Sequence, residues 1–174
     1  GVGDVNTYAL FAESFFTAIS SNGRAGFIVP SGVATDDSTK YYFQAISQNG
    51  RLASLLGFDN AKRIFPAVHP DTPFSLVSLG PKSDKAELVH YAVGVEEASD
   101  PRRRFTLTPD EFRLINPNTR TCPVFRSQRD AELTKKLYRA APVLIREAEW
   151  VCEGKDARCT APEANPWGIT FQRM

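Results

Sequence analysis

The sequence predicts an α/β domain, and three observations carry this prediction. The apolar run 24–29 has the length of a strand and is followed by Pro30, Ser31 and Gly32, which is typical of a strand covered on both faces. Helical patterns lie on either side of it. A second apolar strand, 52–58, completes a strand-helix-strand unit of about 35 residues, whose two strands are expected to be parallel.

Composition limits the classes of protein to consider. The chain has 174 residues, 42% of them hydrophobic, enough for one domain with a core. A net charge of +1 gives the protein no overall electrostatic attraction to nucleic acid, so a DNA-binding surface would have to be a local cluster of positive charge. The three cysteines show no C-x-x-C spacing and the two histidines no H-E-x-x-H motif, so we expect no metal site, and reduced thiols in a cytoplasmic protein. No apolar run approaches the roughly 18 residues of a membrane span, so we expect no membrane partner.

The first half alternates helices and strands. Apolar residues at helical spacing predict a helix over 5–21 that ends at Asn22-Gly23. Capping residues at 35–37 predict a second helix over about 36–48. The predicted inward stripe of the first helix is Tyr8, Phe11, Phe15 and Ile19, and that of the second is Tyr42, Phe43 and Ile46.

The sequence changes character after Gly94. Before it, the runs 74–79 and 87–93 flank a turn and predict an antiparallel pair of strands. After it, prolines become frequent and regular patterns weaken. We therefore predict a boundary near 95–105, with residues 1–95 as one unit and 96–174 as a second, irregular and mainly helical unit. Thr108-Pro109-Asp110-Glu111 predicts the start of a short helix, and a longer helix is expected over 127–140.

Candidate functional residues fall at strand ends and in arginine clusters. Ligands of open α/β sheets bind at the carboxyl ends of strands, which is where Pro30, Ser31 and Gly32 lie. The run Arg102-Arg103-Arg104 either contacts phosphates or is a solvated loop. A second cluster precedes the 127–140 helix, where it either binds phosphate at the helix N-terminus or forms surface ion pairs. Its members are Arg120, Arg126 and Arg129. His69 is expected in an exposed loop, and His90 at the surface or in packing.

The order of several motifs resembles the middle of large adenine-specific DNA methyltransferases from bacterial restriction-modification or phage-defence systems. The chain opens with Gly-Asp-x-Asn-x-Tyr-x-x-Phe and continues with Gly-Arg-x-Gly-Phe-Ile-Val-Pro-Ser-Gly. Phe58-Asp-Asn60, Ile64-Phe-Pro66, the strand 74–79 and the run Asn116–Arg126 follow. The resemblance covers nearly the whole chain.

The resemblance implies a particular half of a larger sheet. The chain would be the C-terminal half of a class I methyltransferase-type, Rossmann-like sheet, followed by the start of the DNA target-recognition region. Strands 24–30, 52–58 and 74–79 would be the fifth, sixth and seventh, with the seventh inserted antiparallel between the other two. The family's cofactor-glycine and Asn-Pro-Pro-aromatic motifs do not occur in this sequence. The implied function is therefore that of a fragment that is inactive alone, carries no catalytic residue and binds S-adenosylmethionine weakly.

The resemblance also implies roles for individual residues. Asn6 and Tyr8 would lie near S-adenosylmethionine, and Pro30, Ser31 and Phe74 would border an adenine turned out of the duplex. For Tyr8 and Phe74, core packing is the alternative. Both arginine clusters would face the backbone of double-stranded DNA.

Partners and competing functions complete the expectations. Besides DNA, the expected partners are the remainder of the parent chain and a second copy, since an uncovered sheet edge at 24–30 would favour self-association. Two other functions stay open, a non-catalytic DNA-binding module and a small α/β domain for protein interaction.

Overall fold

The first five strands form a mixed sheet with helices on its faces. The structure is a computed structural model that describes residues 6–153 and 156–168, without the side chains of 149–158. Among the described residues five strands pair in the order β1-β3-β2-β4-β5. These strands are β1 Ala25–Pro30, β2 Leu52–Phe58, β3 Phe74–Leu79, β4 Ala86–Ala92 and β5 Phe105–Leu107.

Strand β3 runs antiparallel to both of its neighbours, β1 and β2. β1 and β2 are therefore parallel to each other without being paired. This arrangement confirms the prediction that the strand 74–79 is inserted antiparallel between the other two.

The helices are shorter than the sequence predicts. They are α1 Thr7–Ala18, α2 Gly32–Thr35, α3 Lys40–Gln48, α4 Val95–Ser99, α5 Pro109–Ile115 and α6 Gln128–Ala140. The predicted helix over 36–48 begins only at Lys40, because the Thr39 hydroxyl donates hydrogen bonds to the carbonyls of Gly32 and Asp36 and supports a break there. The start of α5 is confirmed, with Thr108 and Glu111 forming the reciprocal capping box.

The strand at 87–93 runs antiparallel to the third strand, as predicted, but the two strands do not pair. β4 pairs with β2, in parallel. The loop between β3 and β4 passes under the start of β2, where Ser83 N donates to Gly50 O at 2.9 Å and Gly80 N donates to Arg51 O at 2.9 Å. Gly50 permits this crossing, because its φ is +66° and a Cβ on it would lie 2.5 Å from Ser83 O.

Most of the core lies on one face of the sheet. Buried residues of β1–β5 pack there with α1, α3, α5 and α6, while a smaller cluster on the opposite face includes Phe58, Phe74 and Ala98. The prediction that β1 is covered on both faces is therefore wrong, since Ile28 is 53% exposed. The outer edge of β1 pairs with no strand among the described residues, and self-association there stays a prediction.

The inward stripe of α1 also differs from the prediction. Tyr8, Ala12, Phe16 and Ile19 pack against the core, whereas Phe11 and Phe15 are exposed. Phe15 contacts Phe27 of β1 with a ring separation of 5.1 Å, so it covers the margin of the core without entering it.

The second half is more regular than predicted. β5 extends the sheet by pairing with β4, and β6 Glu149–Glu153 pairs with β7 Asp156–Ala161. Phe105 and Phe112 belong to the same core cluster as the first half, and Cys122 N donates to Ala34 O at 2.8 Å. The boundary near 95–105 stays a prediction, and this shared core spans it.

Several expectations concern residues beyond the described part. Gly3 and Asp4 of the opening motif lie outside the described residues, as does the side chain of Cys152. Cys122 and Cys159 are free thiols. Within the described ranges, no helix is long and apolar enough to cross a membrane.

Candidate functional site

A pocket opens at the carboxyl ends of three strands. β1, β2 and β4 point the same way, so their ends meet at one edge of the sheet, where ligands of α/β sheets are expected. The pocket has a volume of about 180 Å³. We call it the strand-end pocket, and it is lined by Ser31, Thr35, Gly57, Phe58, Asp59, Pro73, His90, Tyr91 and Val124.

Ser31 lies in the wall of this pocket, as the sequence predicts for the end of β1. Its Oγ is 2.9 Å from Ser75 Oγ, and its backbone N donates to Pro73 O at 3.1 Å. These contacts fix the turn after β1. Pro30 is exposed beside the pocket and pairs across the sheet with Phe74, but it is not among the lining residues.

Phe74 packs in the smaller core cluster, and its expected place beside a flipped base stays a prediction. It is 8% exposed and stacks on Phe58 with a ring separation of 5.3 Å and an interplanar angle of 5°. Phe65 packs edge-on against it at 4.8 Å. These contacts favour the alternative of core packing.

His90 and Cys122 form a buried pair behind the pocket. His90 is 7% exposed, and its Nε2 is 3.7 Å from Cys122 Sγ. Burial lowers the pKa of His90 to about 4 and raises the pKa of the Cys122 thiol. A neutral imidazole beside a protonated thiol offers hydrogen-bonding groups and no thiolate nucleophile. Gly57 leaves room for the ring, because a Cβ there would lie 3.1 Å from His90 Nδ1.

The three consecutive arginines have three different roles. Arg102 is exposed and pairs with Asp100 at 2.8 Å, which holds the pKa of that carboxyl at about 2. Arg103 donates to the carbonyls of Tyr91 at 2.7 Å and His90 at 3.2 Å. Arg104 pairs with Glu87 at 2.8 Å.

The three side chains therefore lie in different environments. Arg103 supports the end of β4 and Arg104 pairs near its start, which leaves Arg102 as the most exposed of the three. Contact of the run with DNA stays a prediction.

Of the second cluster, Arg126 lies beside the pocket and Arg129 lies near the backbone of Arg102. The guanidinium of Arg126 lies over the Tyr91 ring, 5.1 Å from its centroid. Gln128 N donates to Arg102 O at 2.9 Å, which holds the arginine loop against the start of α6, where Arg129 is exposed. Arg120 lies apart, half-buried after α5, with a φ of +53° and its N donating to Asn116 O.

Asn60 organises the loop between β2 and β3, a role that sequence reasoning missed. Its fully buried amide donates to the carbonyls of Phe65 and Val68 at 3.1 Å and accepts from Phe65 N at 3.0 Å. The loop thereby holds Ile64, Phe65 and Val68 exposed next to the pocket. An asparagine directly after a strand end was the available signal, since this side chain readily bonds nearby backbone.

Asn6 and Tyr8 lie at the start of α1, away from the pocket lining. Tyr8 is half-buried against the core, and burial together with the nearby Asp36 carboxylate raises the pKa of its hydroxyl. Asn6 caps α1 by position without a side-chain bond to it, so its amide is available to a ligand. Both offer the hydrogen-bonding groups that a polar cofactor needs. The described residues contain no group of three or more side chains suited to hold a metal ion.

Comparison with known proteins gives a likeness of fold. No family model and no curated protein matches the chain. Among the similar solved structures is one with a TM-score of 0.50 and 12% sequence identity, described as the structural basis underlying complex assembly and conformational transition of the type I R-M system. The likeness covers 80% of this chain and 37% of the solved chain. At this identity it supports the mixed α/β fold alone.

Proposed function

We propose that this chain is a segment of a restriction-modification DNA methyltransferase that transfers a methyl group from S-adenosylmethionine to adenine N6. The observation that carries the proposal is the antiparallel β3 between the parallel strands β1 and β2, as the sequence resemblance implies. The described type I R-M structure, similar over 80% of this chain, supports the same context.

The strand-end pocket is suited to a planar base. Its walls combine aromatic and apolar side chains with the hydroxyl of Ser31 and the carboxylate of Asp59. Such a mixture, mostly apolar with few polar groups, is typical of sites that hold and orient a small ring. When bound, S-adenosylmethionine supplies the methyl group, and in this chain Asn6 and Tyr8 would hold it.

Methyl transfer by the complete gene product tests the proposal. Duplex DNA is incubated with the protein and S-adenosylmethionine, digested to nucleosides and analysed by mass spectrometry. We expect N6-methyladenine, and none with the 174-residue chain alone. A methylated cytosine, or no methylated base, would contradict the proposed reaction. Calorimetric titration of the 174-residue chain is expected to show no micromolar binding of S-adenosylmethionine, and such binding would overturn the interpretation as an incomplete segment.

A second candidate function is DNA binding without catalysis, favoured by the exposed arginines beside the pocket. Arg102 and Arg126 are both exposed. Arg126 lies over the Tyr91 ring, and the backbone of Arg102 is bonded to the start of α6. Each phosphate contact contributes about 0.9 to the slope of log affinity against log salt. The double variant Arg102→Gln/Arg126→Gln should therefore lower that slope by about 2.

A matched control lies at the opposite edge of the sheet. Lys82 and Lys85 are exposed in the loop that crosses the start of β2. Lys82→Gln/Lys85→Gln removes the same charge and should leave the slope unchanged. If the two double variants change the salt slope equally, the two arginines do not contact DNA.

A further inference from the structure

Tyr91 adopts a backbone conformation that a bulky residue rarely takes. At the end of β4 its φ is +57°, in the left-handed region that favours glycine. Strain of this kind persists only where surrounding contacts impose it, and it concentrates at functional sites. The residue is also 43% exposed and lines the strand-end pocket, so core packing does not account for its position.

One arginine contacts the backbone of Tyr91, and another contacts its ring. Arg103 donates to its carbonyl at 2.7 Å and to that of His90 at 3.2 Å, which fixes the left-handed turn. Arg103 is itself held near Glu97, with a separation of 3.6 Å. Arg126 places its guanidinium 5.1 Å from the ring centroid, within reach of a cation–π interaction. The backbone and the ring of Tyr91 are therefore positioned separately at the wall of the pocket.

We propose that Tyr91, backed by Arg126, is a stacking platform for an unpaired purine base of DNA at the strand-end pocket. The inference rests on the proposed function for its choice of DNA. An exposed aromatic ring beside a cationic surface is how proteins hold unpaired bases, through stacking and contacts to the backbone. The pocket, with a volume of about 180 Å³, has room for one base. Arg102, which is paired with Asp100, and Arg129 are both exposed where the arginine loop meets the start of α6, and we expect them to supply positive charge for the adjoining phosphates.

The platform assigns distinct roles to the residues involved. Tyr91 provides the stacking surface, and its hydroxyl is not required. Arg126 contributes charge behind the ring, while Arg103 acts only through the conformation of Tyr91. Because glycine adopts a positive φ without strain, Tyr91→Gly removes the ring but keeps the turn, and so separates stacking from folding.

Fluorescence of a single-stranded oligonucleotide with one 2-aminopurine tests the platform on the 174-residue chain. Stacking quenches this base, so quenching reports the contact directly. Tyr91→Ala and Tyr91→Gly should each weaken binding about tenfold and abolish the protein-induced quenching. Tyr91→Phe should retain both. Tyr41→Ala is the matched control, because Tyr41 is 62% exposed on α3 with Lys40 Nζ 5.5 Å from its ring centroid.

The outcomes separate the platform from the proposed function. If Tyr91→Gly is folded and binds and quenches like the unchanged chain, the platform is overturned while DNA binding stands. If the unchanged chain neither binds nor quenches the oligonucleotide, the platform fails, and the methyl-transfer assay still decides the proposed function. An equal loss in Tyr41→Ala would also overturn the platform.

Discussion

Acidification between pH 7 and 5 is expected to destabilise this protein through one residue, His90. Burial lowers its pKa from 6.5 to about 4. Below pH 6.5 the unfolded chain takes up a proton at this position while the folded chain does not, so stability falls with pH until about pH 4. A gap of about 2.5 pH units, at 1.36 kcal/mol per unit, corresponds to about 3 kcal/mol in total. About 2 kcal/mol of this is lost by pH 5.

Urea denaturation at pH 7, 6 and 5 measures the effect. With a slope of about 2 kcal/mol per molar urea, the midpoint should fall by about 1 M over this range. Most carboxylates titrate at lower pH, so the interval reports mainly on histidine. His90→Phe keeps an aromatic ring beside Phe105 and Cys122 and should remove the pH dependence, whatever its absolute stability.

His69 provides the matched control. Its side chain is 73% exposed in the loop after β2, so His69→Gln should keep the full pH dependence of the unchanged protein. The reasoning is refuted if the unchanged protein is equally stable at pH 7 and 5. It is also refuted if His90→Phe loses the same 2 kcal/mol on acidification.

Two further predictions use urea denaturation at pH 7. Asn60→Ala should lower the free energy of unfolding by about 2 kcal/mol, because it leaves backbone groups of the loop without partners; the exposed Asn22→Ala should change it by less than about 0.5 kcal/mol, and equal effects would deny Asn60 its organising role. Gly50→Ala should cost at least about 2 kcal/mol, because its φ is +66° and a Cβ would lie 2.5 Å from Ser83 O. Gly26→Ala meets nothing within 4 Å and should cost nothing, so a tolerated alanine at 50 would contradict the crossing-loop explanation.

The sequence predicted the strands better than their pairing. The runs that became β1, β2 and β3 are apolar and bounded by turn residues, and these local signals sufficed to find them. The pairing of β4 was mispredicted because the loop 80–85 has the composition of a hairpin turn. Its path is decided by long-range contacts, those of Gly80 and Ser83 with the start of β2, which no local pattern shows.

The candidate site was predicted by place and not by residue. The rule that ligands bind at the carboxyl ends of strands points to the turn after β1, where Ser31 lines the pocket, and its contact with a ligand stays a prediction. It could not identify His90 or Tyr91, which belong to a strand assigned to the wrong partner. The positive φ of Tyr91 is likewise a product of tertiary contacts, and nothing in the local sequence predicts it.

The arginine run shows why adjacent identical residues need separate arguments. The guanidinium of Arg103 donates to the carbonyl groups at the end of β4, and that of Arg104 forms an ion pair with Glu87. Only Arg102 is left exposed, and its backbone carbonyl anchors the start of α6. Gln128, the residue of α6 that is bonded to the Arg102 carbonyl, follows Arg126 by two positions, and the Arg126 guanidinium lies over the Tyr91 ring. Arg103 therefore acts on the shape of the pocket wall, Arg104 supports the start of β4, and only Arg102 keeps a side chain that is exposed enough to meet DNA.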